Sequence, residues 1–411
     1  MANTDTNTNT NTDTKTIANN SYKKVLNYTD LFFSNIGYII GAGVFVLIGK
    51  ILNIAGSNTW ISVIISGLFI YIISNSYILI HSKYSYNDAE YRAIKDKFGE
   101  LFSNISVIIT LLAFLFIAYV VILGFGSYTN FIIPSITSQL AGIIGLIIAI
   151  ILNIYGIELT ELINRLITIS GIASLFILII VGFIFIIQHW RVIKSNFINE
   201  SIFKSITFTK IINILYGAFI FIFAYTGFEI IVRLNQECEN SERDMPQAMH
   251  DSILFTIIIY TAISVVMIGV FGNCLSSSDN NPLSTLITKL SKNSLLIKYI
   301  SFSGIGLTWT TILLSLTYLS RLLSQFSTKL LNTNTESNTE SNTESNIIKK
   351  ILFLLSSVNE TTNTPIYSIL FISLILFLLM ISNLNILFST ILANIGTIII
   401  MVIIYIVSIQ V

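Results

Sequence analysis

The feature that leaves this chain fewest choices is a succession of apolar runs, each about twenty residues long and so able, as helices, to cross the ~30 Å hydrocarbon core of a bilayer. Ten can be marked off, at about 31–52, 59–82, 104–127, 138–155, 166–188, 211–234, 253–272, 299–325, 366–384 and 386–410. In hydrocarbon every backbone N–H and C=O must be satisfied by protein, which restricts spanning segments to helices and closed barrels. Continuous apolar runs of this length, without two-residue alternation, are helical. The fourth and fifth runs are joined by "YGIELTELINRL", which reads as an interfacial amphipathic turn, and only "SNLN" separates the ninth from the tenth.

Composition agrees: 54% of the 411 residues are hydrophobic and 10% charged, against roughly a quarter charged in soluble domains. The chain therefore reads as an all-α integral membrane protein with the lipid bilayer as its first partner. A net charge of +1 gives no general attraction to nucleic acid. Cys238 and Cys274 have neither metal-ligand nor redox spacing and fall on opposite sides of the expected bundle, so both are read as packing residues. His81, His189 and His250 lie near helix ends, far apart. Such a sequence lacks the clustered His, Asp or Cys at membrane depth that a membrane enzyme needs, and no metal or cofactor is expected.

Lysine and arginine set the expected orientation. With the N-terminus in the cytoplasm, 14 of them fall inside, from Lys15 to Lys350, and 8 outside, a positive-inside bias. Much of it comes from "HSKYSYNDAEYRAIKDKFGE" after the second run. Residues 1–28, an Asn/Thr-rich tail, and a second low-complexity stretch at about 331–346 are too polar to bury anything and are expected to be disordered.

Two apolar runs carry residues that weaken helices. In "IIGAGVFVLIG" Gly41 and Gly43 sit mid-run, where each costs about 1 kcal/mol relative to alanine. In "FIFAYTGFEI" Gly227 follows Ala224-Tyr225-Thr226. These are the first and sixth runs, so each opens a five-helix half: 29–190 and 208–411. Matching interruptions in two halves point to an inverted-repeat transporter with its site near the bilayer midplane. An unwound turn frees amides at a helix start, which suit a carboxylate, and carbonyls at a helix end, which suit an ammonium group. The competing reading is close packing, since Gly37 to Gly41 is itself a G-x-x-x-G. Helix 1 alone does not separate the two, and the sixth run favours the first. Glu229 is the one acid placed well inside a membrane run, which makes it a functional candidate. A structural pair with Arg233, one turn on, is its alternative.

At these motifs the chain resembles the amino acid–polyamine–organocation (APC) superfamily. "IIGAGVFVLIG" is similar to that family's first-helix signature. "FAYTGFEIIVRLNQECENSERDMPQAM" is similar to its sixth helix and following loop, with Gly227, Phe228, Glu229, Glu237, Asn240, Arg243 and Pro246 all in pattern. Weaker matches are "KFGE" at 97–100, "LNIYGIE" at 152–158, Ser320-Arg321 and Thr364-Pro365, so the similarity covers about residues 25 to 405. It implies the LeuT-type fold, five helices repeated upside down, about ten transmembrane helices in all. It implies a secondary active transporter moving amino acids by alternating access, coupled to protons or acting as an exchanger. A non-transporting amino acid sensor or interaction protein of the same fold is the alternative.

The resemblance also implies a site. The amides of Ala42 and Gly43, with Val44 near and Gly41 and Gly227 allowing close approach, would hold a substrate carboxylate. The carbonyls of Ile39, Phe223 and Thr226 would take its ammonium group. Phe223 would close over the substrate as a gate, Trp309 would line the side-chain pocket, and Glu229 would be the proton-coupling candidate. Two departures stand out: Gly171 falls where some proton-coupled relatives place a lysine, and the residues after Arg321 lack the family's D-G-x-P.

Overall fold

The structure is a computed structural model. It describes residues 26–84, 88–155, 157–198, 201–272, 275, 279–336, 343–359 and 361–410, with side chains 157–165, 233–237, 333–336 and 343–346 left aside. Fourteen α-helices and three short 3-10 segments make up the described chain, which has no strand apart from an isolated bridge between Leu26 and Cys238.

The first expected span is two helices, α1 (Tyr28–Ile39) and α2 (Ala42–Ala55), and a 3-10 turn leads from α2 into α3 (Thr59–Lys83). A short helix, α4 (Ala89–Phe98), lies at the end of α3 and hands over to α5 (Glu100–Ile132). Then come α6 (Ser138–Tyr155), α7 (Ile157–Ile198) and α8 (Phe208–Phe221). After α8 the chain passes through two 3-10 segments, Ile222–Tyr225 and Phe228–Glu237, into α9 (Ser241–Phe271). The remainder is α10 (Pro282–Leu290), α11 (Ser294–Glu336), α12 (Thr343–Ser356), α13 (Ile366–Ser382) and α14 (Ile386–Ser408).

Helix lies in each of the ten expected spans, although the first is interrupted at Ile40 and Gly41 and the sixth is α-helical only as far as Phe221. By length and apolar character, eight helical runs among the described residues can cross a membrane, with α2 and α3 forming one run and the 17-residue α13 falling short. The split at "SNLN" has a local cause: Asn383 adopts the left-handed conformation at the end of α13, and the Asn385 side chain caps α14 by accepting from the Leu387 amide at 2.8 Å.

Three short helices escaped the apolar criterion, because α4 and α10 are only 10 and 9 residues long and α12 is amphipathic, exposing Ile347, Ile348 and Ile351. α11 runs on to Glu336 and α12 starts at Thr343, both inside the stretch the sequence leaves unfolded; residues 337–342 lie outside the described residues. So do residues 1–25, Cys274, Asn199 and Glu200, and the side chains of Arg165, Arg233 and Glu237.

The core is built around α5, which packs along α11, α14 and α6, and around α9, which packs along α1, α3 and α7. The α1–α2 pair threads between these two groups. One end of the bundle carries α4 and the start of α9; the other carries α10, where Gly49 of α2 meets Leu275 and Pro282. Many large apolar side chains point outward, among them Ile187 (75% exposed) and Leu101 (71%), as a surface solvated by lipid requires.

Candidate functional site

Both helices carrying the out-of-place glycines are interrupted. α1 ends at Ile39, Ile40 and Gly41 are non-helical (φ −79, ψ 72 and φ −111, ψ −133), and α2 begins at Ala42. After α8 the chain tightens into 3-10 geometry, becomes extended at Thr226 (φ −61, ψ 145) and turns at Gly227 with φ +109, a conformation open to glycine and costly for other residues.

The interruptions cross, and this explains the glycines. A Cβ on Gly43 would fall on the Cα of Ala224, and one on Gly227 would come within 2.6 Å of the Tyr38 carbonyl oxygen. Each break thus uses a glycine to press against the backbone of the other. A Cβ on Gly41 would strike the Thr311 hydroxyl.

Interrupting a helix in an apolar interior strands backbone groups, and each unsatisfied one costs about 1–3 kcal/mol. Several find partners here. Asn394 of α14 donates to the carbonyls of Phe219 (2.7 Å) and Ile220 (3.1 Å) where α8 ends. The Phe223 carbonyl accepts from the Thr226 amide (3.2 Å) and hydroxyl (2.7 Å). The Tyr260 hydroxyl, from α9, lies 3.1 Å from the Ile39 carbonyl and 3.2 Å from that of Ala224, tying the two breaks together. Ile39 O also accepts from the Gly41 amide at 2.9 Å. The Ala42 amide donates to Thr311 Oγ1 (3.2 Å), whose own proton goes to Leu307 O (2.8 Å).

Groups left with no partner among the described residues include the Gly43 and Val44 amides in the first turn of α2 and the Thr226 carbonyl. The first two sit at the positive end of a 14-residue helix. Of the groups expected to bind an ammonium, Ile39 O and Phe223 O each already accept two hydrogen bonds, so Thr226 O is the one open in this conformation.

A small cavity lies at the crossing. Ile39, Gly41, Ala42, Gly43, Phe223, Thr226 and Gly227 form one wall; Phe114, Ile117 and Val121 of α5 face Thr311, Leu314, Ser315 and Tyr318 of α11 on the other. Seven of the expected substrate-site residues therefore border one space. Phe223 is 3% exposed and lines it. Val44 is buried but does not line it, and Trp309 turns away, its indole N–H donating to Gly145 O of α6 at 3.1 Å.

A second, larger cavity opens toward the α4 end. Phe114 and Tyr318 border both cavities, with ring centroids 4.3 Å apart, and so form the partition between them. Glu229 lines the larger cavity, is 5% exposed, and accepts the Gly227 amide on Oε2 at 2.9 Å. Its backbone-side contact is thus with a residue of the first cavity.

At the mouth of the larger cavity Asp88 accepts from Lys329 Nζ of α11 and Arg92 Nε of α4, each at 2.8 Å, and the Lys329 ammonium sits 3.5 Å from the centre of the Tyr91 ring. Burial pushes the Asp88 carboxyl up, but the hydrogen bonds and charges of Lys329 and Arg92 outweigh it and hold the group below its ordinary value. Tyr260, Thr311, the Phe114–Tyr318 pair and this ion cluster escaped sequence reasoning. Tyr and Thr are ordinary in apolar helices, and nothing in their spacing marks which face a cavity.

A sequence profile of the amino acid permease family matches residues 26–331. Among curated proteins, the chain is 24% identical over 318 residues to the branched-chain amino acid permease BcaP of Bacillus subtilis, an alignment covering 72% of this chain and 65% of that one. It is 26% identical over 270 residues to the methylthioribose transporter of the same organism, covering 61% and 56%. With the chloroplastic cationic amino acid transporter 9 of Arabidopsis thaliana it shares 23% identity over 332 residues, covering 75% and 56%. The chain spans between half and two thirds of the length of these relatives.

Proposed function

The chain belongs to the amino acid permease family, and from that premise we propose that it is a secondary active transporter of α-amino acids working by alternating access. The observation that carries this reading is the backbone accounting at the crossed interruptions. Among the freed groups left without a partner are two amides at a helix N-terminus and one carbonyl, bordering or adjoining a single cavity. A carboxylate suits the first pair and an ammonium the last, and an α-amino acid presents both. The names of these relatives range over branched-chain amino acids, cationic amino acids and methylthioribose, so the geometry, not the names, carries the amino acid.

The two cavities separated by one aromatic pair support the access cycle: substrate held at the crossing would leave toward the α4 end when Phe114 and Tyr318 part, with Phe223 closing the opposite approach. We place the N-terminus and the α4 end in the cytoplasm, on the lysine and arginine distribution. Glu229 supports proton coupling. A proton arriving from the larger cavity would weaken its hold on the Gly227 amide and so reach the substrate site through the backbone.

The test is uptake of a radiolabelled amino acid mixture by proteoliposomes, with and without an inward proton gradient, for wild type and Glu229→Gln. Gradient-stimulated uptake is expected for wild type. The glutamine variant, which keeps an acceptor for Gly227, should retain exchange and lose the stimulation. Amines lacking the carboxylate should compete at least about 100-fold more weakly, since they leave the α2 amides unpaired. Equal competition by such amines would sink the backbone-site reading, and a folded protein with no flux would favour a sensor.

A further inference from the structure

We propose that the site selects a neutral amino acid with an aliphatic side chain of valine to leucine size, and that Ile117, Val121 and Leu314 form the chamber that receives it. The inference rests on the transport site proposed above. If the carboxylate and ammonium engage the interruptions, the substrate side chain must project to the opposite wall, and that wall is made by α5 and α11. Ile117 and Val121 of α5, 4% and 0% exposed, face Leu314 of α11 there, with Ile230 closing one flank.

No carboxylate, ammonium, guanidinium or imidazole group borders this cavity. Asp88, Glu90 and Lys329 border the other cavity, as does Glu229, whose carboxylate is engaged by the Gly227 amide. A charged side chain entering the chamber would lose its hydration without gaining a counter-charge. An asparagine or glutamine side chain needs several hydrogen bonds, and the polar wall offers little. Thr226 and Thr311 already donate to Phe223 O and Leu307 O, and the remaining hydroxyl-bearing residues on the lining are Ser315, Tyr38 and Tyr318. A buried amide left short of partners is rejected strongly.

Size follows from the two ends of the chamber. Glycine or alanine would leave apolar wall uncovered, and each missing methylene in such a pocket weakens recognition roughly 10- to 200-fold. A phenyl or indole ring would have to push apart the Phe114–Tyr318 pair, which closes the far end.

The experiment is binding of tritiated leucine to the purified full chain in nanodiscs, by scintillation proximity, with unlabelled valine, isoleucine, alanine, phenylalanine, asparagine, lysine and glutamate as competitors, and uptake into proteoliposomes in parallel. Isoleucine should compete within about tenfold of leucine, valine about tenfold more weakly or somewhat beyond, and lysine, glutamate and asparagine at least about 100-fold more weakly. Leu314→Ala and, independently, Val121→Ala should each shift preference from leucine toward phenylalanine by about tenfold or more. Lysine or glutamate competing as well as leucine, or no shift in whichever variant folds, would overturn the chamber assignment while leaving transport standing. Aliphatic selectivity without uptake would support the chamber and overturn the transport reading. A folded protein binding none of these amino acids would overturn both.

Discussion

Gly43 of α2 and Ala224 of the second interruption meet backbone to backbone, with no space between them for a methyl group. The crossing is as much a packing joint as a binding site, and this changes what a substitution there reports. Gly43→Ala should destabilise the protein by about 1–3 kcal/mol through overpacking and abolish uptake, because the two breaks can no longer approach. Thermal unfolding in detergent measures the first and proteoliposome flux the second. An alanine variant of wild-type stability and flux would show that the crossing relaxes freely.

Thr311 offers a cleaner probe of the α2 amides. Its hydroxyl accepts the Ala42 N–H at 3.2 Å, and a substrate carboxylate would compete with it for that amide. Thr311→Val removes that acceptor and strands the amide, which should cost about 1 kcal/mol without substrate. The cost should shrink when leucine binds, so the leucine-induced rise in Tm is expected to be larger in the variant than in wild type. A smaller rise would mean that Thr311 holds the substrate instead of standing in for it.

The pair Phe114 and Tyr318 is the thinnest wall between the two cavities. Phe114→Ala should join them, so a cysteine introduced at Ser315 should react with a membrane-impermeant thiol reagent added from the α4 side about tenfold faster or more, and bound leucine should dissociate faster by a similar factor. Unchanged labelling would place the barrier elsewhere along the path.

How much of this was legible in the sequence differs by level. The membrane helices were, because a twenty-residue apolar run has few alternatives in hydrocarbon. The two interruptions were too, since Gly41, Gly43 and Gly227 are poor choices for helix interiors. Their reason was only half visible. The sequence suggested room for a substrate, whereas the space saved at Gly43 and Gly227 is taken by Ala224 and Tyr38. Trp309 was expected in the pocket from its position along the eighth apolar run, but one residue is 100° of rotation, and the indole faces Gly145 while Thr311 and Leu314 face the cavity. Short polar α4 carries no apolar signal, so the cluster it builds around Asp88 could not be seen.

That cluster gives the last prediction. Asp88 ties α4 to α11 through Lys329 across the mouth of the larger cavity, and its carboxyl titrates below the ordinary 3.8. Lower in the folded state than in the unfolded one, such a group stabilises the fold fully above the unfolded value, and that contribution disappears as pH falls through the folded value. Asp88→Asn should therefore lower stability at neutral pH by about 1 kcal/mol, given the side chain's partial exposure and its two partners. The difference from wild type should stay constant above about pH 5 and close only in stronger acid. Lys329→Met should cost less once Asp88 is already Asn, a coupling that a double-mutant cycle measures directly. Additive losses, or a gap that closes near neutral pH, would mean that the 2.8 Å contact contributes nothing to holding α4 on α11.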